Sequence, residues 1–188
     1  MSEPQFEPVA TSAAGRSFAR RSDRELLQRA RAGSKAATEA LVERHWDRAY
    51  RIAYGILRDD HMAEDVTQEA MVSMLSNLGR FDTRRSFEPW LHKIVTNRGI
   101  DWARARERRE QTPTLVQPAV QEDATKLVLL DALGSLPVDQ RAVVVLRHVA
   151  GYGTNEIARM LGIRRGTVGS RLRRGLDRLR SELEDQHG

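Results

Sequence analysis

The sequence contains no cysteine among its 188 residues. This absence excludes a disulfide framework and a cysteine-based zinc site, and it suits a reducing compartment. The five histidines lack the spacing of metal ligands, and no apolar run approaches the roughly 18 residues that a membrane span needs. Residues 1–21 lack the apolar stretch of a signal peptide, so we predict a disordered tail there. Together these absences predict a cytoplasmic protein with no metal, no cofactor and no membrane span of its own.

Acidic residues are fewer than basic ones, 26 against 31, and the net charge is +5. The positive charge concentrates in two segments, "ARARERR" (103–109) and "RRGTVGSRLRRGLDRLR" (164–180). Two separate basic clusters predict two contacts with one polyanion. In contrast, the segment "DDHMAEDVTQEAM" (59–71) holds five carboxylates. The composition alone leaves open whether the chain also binds a second, positively charged partner.

Strand-like alternation is absent, and most of the chain has helical periodicity. We predict an all-α fold of two small helical domains, a four-helix domain over residues 22–110 and a helix-turn-helix domain over residues 125–188. The segment between them, "QTPTLVQPAVQEDA" (111–124), holds two prolines and is typical of a flexible linker.

Caps and glycines predict the helix boundaries of the first domain. Ser22 and Glu25 form a capping-box pattern for a short helix that Gly33 ends, and Ser34 can cap a longer helix. This second helix is expected to bury Val42, Trp46, Ala49, Tyr50, Ala53 and Leu57. The third is expected from about Asp60 to Leu78, with Val66, Ala70, Met74 and Leu78 inward, and the fourth from Phe87 after a polar loop over residues 79–86.

The segment "TNEIARMLGIRRGTVGSRLRRGL" (154–176) is typical of a helix-turn-helix. Thr154 is expected to cap its first helix, Gly162 to adopt a positive φ in the turn, and Val168 to pack back against the first helix. A hairpin with a solvated arginine face is the alternative, but eight arginines against one acid between residues 159 and 180 favour DNA. The residues expected to contact bases or phosphates are Arg164, Arg165, Thr167, Ser170, Arg171, Arg173 and Arg174.

From about residue 22 to 184 the chain resembles bacterial sigma factors of the extracytoplasmic-function (ECF) group. Four motifs carry the resemblance in order: "LVERHWDRAYRIAYGILRD", "AEDVTQEAM", "RFDTRRSFEPWLHKIVTNRGIDWARARERR" and "LPVDQRAVVVLRHVAGYGTNEIARMLGIRRGTVGSRLRRGLDRLR". The resemblance implies a non-enzymatic protein that binds core RNA polymerase, directs it to promoter DNA and helps to melt the minus-10 element. It also implies an anti-sigma factor as a partner.

The resemblance also assigns site residues. It implies that Asp65, Gln68 and Glu69 bind the polymerase, and a basic partner suits acids on an exposed helix face. The residues it implies for the minus-10 element are Phe81, Asp82, Arg85, Lys93, Asn97, Arg98, Arg104 and Arg108. Phe81 and Trp90 could instead close the core of the first domain, which we prefer for Trp90. Gly169 and Arg164 depart from the family pattern, and an altered or weaker minus-35 preference is expected.

Two other classes of function compete with this interpretation. A two-domain helix-turn-helix regulator would bind duplex DNA without polymerase, but it would need neither the acidic helix nor a melting loop. An enzyme could use the clustered carboxylates with His61 or His92, but no nucleophile–base pair or metal-ligand spacing supports it.

Overall fold

The computed structural model describes residues 21–109 and 132–185, which form α-helices, one 3₁₀ turn and connecting loops, with no strand in those ranges. The predicted linker, residues 1–20 of the predicted tail and most of the helix predicted near 125–134 lie outside the described residues. In the first domain the helices are α1 (Asp23–Arg31), α2 (Lys35–Leu57), α3 (Asp60–Asn77) and α4 (Phe87–Arg109). In the second they are α5 (Val138–His148), α6 (Thr154–Leu161) and α7 (Arg165–Asp185), preceded by helical residues 132–135.

The caps of the first two helices are those that the sequence predicts. The Ser22 hydroxyl accepts a hydrogen bond from the Glu25 backbone N–H, and the Glu25 carboxylate accepts one from the Ser22 N–H. Gly33 follows α1 with a φ of 87°, and the Ser34 side chain caps α2. These local hydrogen bonds satisfy N–H groups that a helix end leaves without a partner.

One predicted boundary differs by a single residue, and one predicted cap is wrong. Leu78 does not end α3 but begins a 3₁₀ turn, Leu78–Arg80, which carries the chain into the following loop. Thr154 does not cap α6, because Gly153 occupies the cap position and Thr154 is already helical. The Glu156 carboxylate accepts a hydrogen bond from the Gly153 N–H, so a carboxylate three residues on satisfies one N–H group at this helix end.

Helix α2 is the centre of the first domain, and its buried residues match the predicted stripe only in part: Ala49, Ala53 and Leu57 are buried as predicted. Val42, Trp46 and Tyr50 are only half-buried, whereas Leu41, Ile52 and Ile56 are fully buried. The reason is that α2 packs against α1, α3, α4 and α5 on several sides, so its buried surface is wider than one amphipathic face. The predicted inward residues Val66, Ala70 and Met74 of α3 are all buried, and so is Leu78 in the 3₁₀ turn that follows.

The two domains pack against each other through α5, which contacts both α2 and α4. At the closest point Gly55 faces Val145, and a Cβ placed on Gly55 would lie 2.9 Å from Val145 Cγ2. The Arg141 guanidinium from α5 donates a hydrogen bond to the Ile56 carbonyl at 2.8 Å. Burial lowers the pKa of Arg141 to about 10, and its hydrogen bonds to backbone carbonyls compensate for the desolvation of its charge.

A second polar contact joins the domains at the other end of this interface. His92 on α4 is completely buried, and its Nδ1 lies 2.6 Å from the Tyr152 hydroxyl, which belongs to the loop between α5 and α6. Close by, the Arg48 guanidinium on α2 donates a hydrogen bond to the Ala150 carbonyl at 2.9 Å. The second domain is therefore held by specific polar contacts as well as by apolar packing.

Candidate nucleic-acid interface

The acidic segment that begins α3 divides into structural and exposed carboxylates. Asp59 caps the helix by accepting a hydrogen bond from the Met62 N–H, and Asp60 accepts one from the Tyr50 hydroxyl at 2.6 Å. Burial, followed by this hydrogen bond to Asp60, raises the pKa of Tyr50 and keeps the phenol neutral. The first two acids of the segment thus stabilise the start of α3.

Farther along α3, the predicted polymerase-binding residues share one side of the helix. Asp65 and Gln68 are exposed, and Glu69 is half-exposed. Their spacing of three and four residues aligns their side chains along the helix axis. Val72 continues the same side one turn later and is 64% exposed. An exposed surface with acids at one end and an apolar side chain at the other suits a protein partner that carries both basic and apolar groups.

Glu69 has a partner within the domain. Its carboxylate accepts a hydrogen bond from the Arg98 guanidinium on α4 at 2.7 Å. A residue that the sequence assigns to polymerase binding therefore pairs with one that it assigns to DNA. Asp65, the other predicted polymerase-binding acid, lies away from this ion pair along α3.

The loop between α3 and α4 holds its aromatic residue inside the domain. Phe81 is 6% exposed, and its ring lies 4.6 Å from that of Trp90 and 5.8 Å from that of Phe87 between centroids. The Arg31 guanidinium on α1 donates hydrogen bonds to the backbone carbonyls of Leu78 and Phe81 and fixes this turn. In this arrangement Phe81 is a core residue, and a base could reach its ring only after the loop had moved.

The polar residues of the same loop are at the surface. Asp82 accepts hydrogen bonds from both the backbone N–H and the guanidinium of Arg84, and these bonds lower the pKa of the Asp82 carboxyl. Arg85, the next residue, is exposed. The Asp82–Arg84 pair shapes an exposed turn that presents Arg85 to solvent.

Helix α4 presents one continuous polar side. The predicted DNA-binding residues Lys93, Asn97, Arg104 and Arg108 are all exposed. At 100° per residue they fall within about 60° of one another around the helix axis. Arg98 lies outside this stripe, beside Glu69. An exposed row of three cations and an amide over four turns is suited to following a nucleic-acid backbone.

In the second domain, the helix-turn-helix has the predicted geometry. Gly162 adopts a φ of 67° between α6 and α7, and the Ile163 N–H donates a hydrogen bond to the Ala158 carbonyl. Val168 from α7 and Ile157 from α6 are both fully buried, which holds the two helices together. This arrangement fixes the orientation of α7 relative to α6.

The opposite side of α7 is polar and accessible. Arg164, Arg165, Arg173 and Arg174 are exposed, whereas Thr167 and Ser170 are half-buried and joined by a hydrogen bond from the Ser170 hydroxyl to the Thr167 carbonyl. Gly169 lies on this side, and a Cβ there would meet no atom within 4 Å. The surface thus has open space at Gly169.

One carboxylate that the sequence does not single out joins the two basic surfaces. Asp139 Oδ1 accepts a hydrogen bond from Arg104 on α4 at 2.7 Å, and Asp139 Oδ2 accepts one from Arg171 on α7 at 2.8 Å. In the sequence, Asp139 is an acid in the first turn of a helix, a position that the helix dipole alone explains. No local pattern distinguishes it, because its partners lie 35 residues before it and 32 after it.

Among residues 21–109 and 132–185, no group of three or more histidine, aspartate or glutamate side chains is arranged to hold a metal ion. Within the same ranges no helix has the length and apolar character that crossing a membrane requires.

Comparison with known families agrees with the sequence and the geometry. The family description "Sigma-70 region 2" matches residues 41–109, and "Sigma-70, region 4" matches residues 126–179. The first match runs from within α2 to the end of α4, and the second includes the helix-turn-helix.

Individual proteins show the same similarity. The ECF RNA polymerase sigma factor SigM of Mycobacterium tuberculosis is 37% identical, over 85% of this chain and 83% of its own length. SigE of Mycolicibacterium smegmatis is 37% identical over 77% of this chain, which spans 61% of SigE. SigW of Bacillus subtilis is 30% identical over 85% of this chain and 95% of its own length.

Solved structures share the fold. CnrH, solved in complex with the cytosolic domain of CnrY, superposes with a TM-score of 0.67 at 28% identity, covering 87% of this chain and 97% of CnrH. The sigma factor RpoE of Bartonella quintana, solved with the anti-sigma factor NepR, gives 0.65 at 22% identity, covering 78% and 96%. Together with the two matched regions and the relatives, this fold identifies the chain as a member of the ECF sigma factors of the sigma-70 family.

Proposed function

We propose that this protein is a sigma factor that binds core RNA polymerase, directs it to specific promoters and helps to melt the minus-10 element. The observation that carries the proposal is the coexistence of an exposed acidic side on α3 with two separate basic surfaces on α4 and α7. A DNA-binding regulator that acts without polymerase has no use for the first of these surfaces. The sequence relatives named above support the same function.

The polymerase-binding surface in this proposal consists of Asp65, Gln68 and Glu69. Charge complementarity with a basic partner would speed encounter and fix the orientation of the sigma factor on the enzyme. Asp65 and Gln68 are the exposed residues of this surface, so they can bind the polymerase without first breaking an ion pair within the domain. Glu69 would exchange its contact with Arg98 for one with the polymerase.

The minus-10 surface consists of the loop before α4 and the polar side of that helix. Lys93, Arg104 and Arg108 would bind phosphates, and Asn97 would contact the exposed non-template strand. Asp82 and Arg85 would border the pocket for an unstacked base, while Arg98 would add a phosphate contact beside Glu69. Unstacking a base costs about a few kcal/mol, and contacts between the base and this pocket would offset that cost. Phe81 is buried, so it supports this loop from inside the domain. It is not part of the proposed contact surface.

The minus-35 surface is the polar side of α7 in the major groove. Ser170, Arg173 and Arg174 would face base edges, and Thr167 would lie beside them. Arg164, Arg165 and Arg171 would bind the phosphate backbone. Because Gly169 adds no side chain, base preference at this surface depends on fewer contacts.

Three further statements belong to the same proposal. The protein acts in the cytoplasm, where core polymerase and promoter DNA are found, and it acts by binding rather than by catalysis. It is also held inactive by an anti-sigma factor. The structural likeness to CnrH, which was solved with the cytosolic domain of another protein bound, supports a partner of this kind.

The proposal is tested by mixing the full chain with purified core polymerase and measuring co-elution and affinity. The double variant Asp65→Ala/Gln68→Ala is expected to bind core at least about tenfold more weakly, since it removes two exposed contacts from one surface. Glu39→Ala, which removes an exposed acid from α2, is the matched control and should bind normally. Failure of the wild-type chain to bind core would favour the polymerase-independent regulator.

A further inference from the structure

Asp139 stands between the two proposed DNA-binding surfaces. Its two carboxylate oxygens accept hydrogen bonds from two different guanidinium groups, at 2.7 Å from Arg104 and at 2.8 Å from Arg171. Arg104 belongs to the first domain and Arg171 to the second. A carboxylate that receives two guanidinium groups offers them the same charge-assisted contacts that a backbone phosphate would offer.

Each of the three side chains remains partly accessible. The exposed fractions are 48% for Arg104, 35% for Asp139 and 26% for Arg171. Water and salt therefore reach this cluster, and its ion pairs are weak enough to exchange for other partners. A contact that is formed in the free chain and can be replaced at low cost is suited to a reversible switch.

The cluster lies at the edge of a larger interface between the domains. Val145 packs against Gly55, where there is no room for a side chain, and Arg141 reaches across to the Ile56 carbonyl. On the far side, Tyr152 contacts the buried His92. These contacts hold α5 against α2 and α4, and so they bring Asp139 to Arg104.

Opening this interface would change the contacts of Arg104 on the proposed minus-10 surface. If the second domain moved away, Asp139 would stay with Arg171 on its own domain, and Arg104 would lose its carboxylate partner. If DNA phosphates instead took up both arginines, the Arg104–Asp139 link between the domains would be lost. A DNA phosphate that took the N–H groups now donated to Asp139 would compete directly with the closed arrangement.

We propose that Asp139 acts as an internal phosphate mimic that latches the two domains of the free chain in a closed arrangement and lowers the affinity of the chain for DNA. This inference rests on the proposed function, because it takes Arg104 and Arg171 to be DNA contacts. The latch opens when promoter DNA or polymerase replaces its contacts. It would limit the binding of the free sigma factor to promoters in the absence of polymerase.

The latch is tested first by the distance between the domains. The chain has no cysteine, so spin labels can be placed on Glu39→Cys and Ser181→Cys, two exposed positions on α2 and α7. The closed arrangement predicts one narrow distance distribution in the labelled full chain. Asp139→Asn should broaden it toward longer distances, and Gly55→Leu, which wedges the interface apart from the other side, should do the same.

The second readout is the affinity of the free full chain for promoter DNA. Asp139→Asn should raise it about two- to tenfold, the range expected for two partly exposed ion pairs. Removing any acid from a DNA-binding face reduces its repulsion of DNA phosphates. Asp101→Asn, at an exposed position on α4, is therefore the charge-matched control and should give a smaller increase in DNA affinity. Gly55→Leu should raise the affinity without any change of charge.

The outcomes separate the latch from the sigma function. An Asp139→Asn variant with an unchanged distance distribution, or with no more affinity than Asp101→Asn, overturns the latch. If the domains open but neither Asp139→Asn nor Gly55→Leu binds DNA more tightly, closure is not inhibitory and the proposal fails. Loss of core binding by the wild-type chain would instead refute the proposed function, whatever the distances show.

Discussion

Glu69 on α3 and Arg98 on α4 form a 2.7 Å ion pair that joins the proposed polymerase surface to the proposed minus-10 surface. Both side chains are about two-fifths exposed, so the pair contributes little to stability. Because of this ion pair, a change in either Glu69 or Arg98 affects both proposed surfaces.

Replacing Arg98 by Ala separates the two roles. We expect the affinity of the holoenzyme for minus-10 DNA to fall a few-fold, since a phosphate contact is lost, while core binding stays the same or improves because Glu69 is released. Binding of fluorescent core polymerase and of promoter DNA by the holoenzyme measures the two effects. If Arg98→Ala weakens core binding as much as Glu69→Ala does, then Arg98 orients Glu69 for the polymerase.

Filling the open space at Gly169 should strengthen the minus-35 contact. Gly169→Arg removes a helix-interior glycine, worth about 0.8 kcal/mol of helix stability, and adds a cation where a Cβ meets no atom. We expect a several-fold increase in affinity for promoter DNA, measured by titration with minus-35 duplexes. Gly169→Ala is the control for helix stability alone. An equal gain in the alanine variant would show that the new charge makes no DNA contact.

Truncating Phe81 should destabilise the first domain. The ring fills the space between Trp90 and Phe87, so Phe81→Ala leaves a cavity and is expected to cost about 3–5 kcal/mol in the free energy of unfolding. Urea denaturation measures this cost. Phe81→Leu, which keeps most of the volume, should recover much of the stability. A Phe81→Ala variant of normal stability that fails only in promoter melting would instead place the ring in contact with DNA.

His92 makes stability depend on pH. Burial, followed by the charges of Arg48 and His45, lowers its pKa to about 3, while Glu88 lies 4.0 Å from Nε2 and the Tyr152 hydroxyl contacts Nδ1. The depressed pKa means that the neutral ring stabilises the fold above the unfolded pKa of about 6.5. Below that pH His92 is protonated in the unfolded chain but stays neutral in the folded chain. This group should therefore lower stability by about 1.4 kcal/mol per pH unit as the pH falls from about 6.5 toward 3.

Urea denaturation at several values between pH 7 and pH 4 checks this dependence. His92→Gln keeps a polar partner for Tyr152 but cannot be protonated, so its stability should fall less steeply with acid. Identical slopes in the two proteins would show that His92 is accessible to protons in the folded chain.

Local features of the fold could be predicted from the sequence, and contacts between distant residues could not. The Ser22–Glu25 cap and the turn at Gly162 depend on neighbours within four residues, so the order of side chains determines them. The predicted Thr154 cap was wrong because the helix begins one residue earlier than expected, with Gly153 in the cap position. The His92–Tyr152 contact spans 60 residues and requires the packing of two domains, which helical periodicity does not report.

The candidate site follows the same division. Exposure of Asp65, Gln68 and the arginines of α7 follows from their helical positions, which the sequence supplies. The buried position of Phe81 depends on the aromatic rings around it and on Arg31 from another helix. The double pairing of Asp139 appears only when α4, α5 and α7 are brought together.

The most direct test is run-off transcription with purified core polymerase and this chain on promoters selected from genomic DNA. We predict discrete transcripts that depend on the chain, from promoters that share minus-35 and minus-10 elements. We also predict that Asp65→Ala/Gln68→Ala abolishes these transcripts while Glu39→Ala does not. Transcription that is the same with and without the chain would contradict the proposed function.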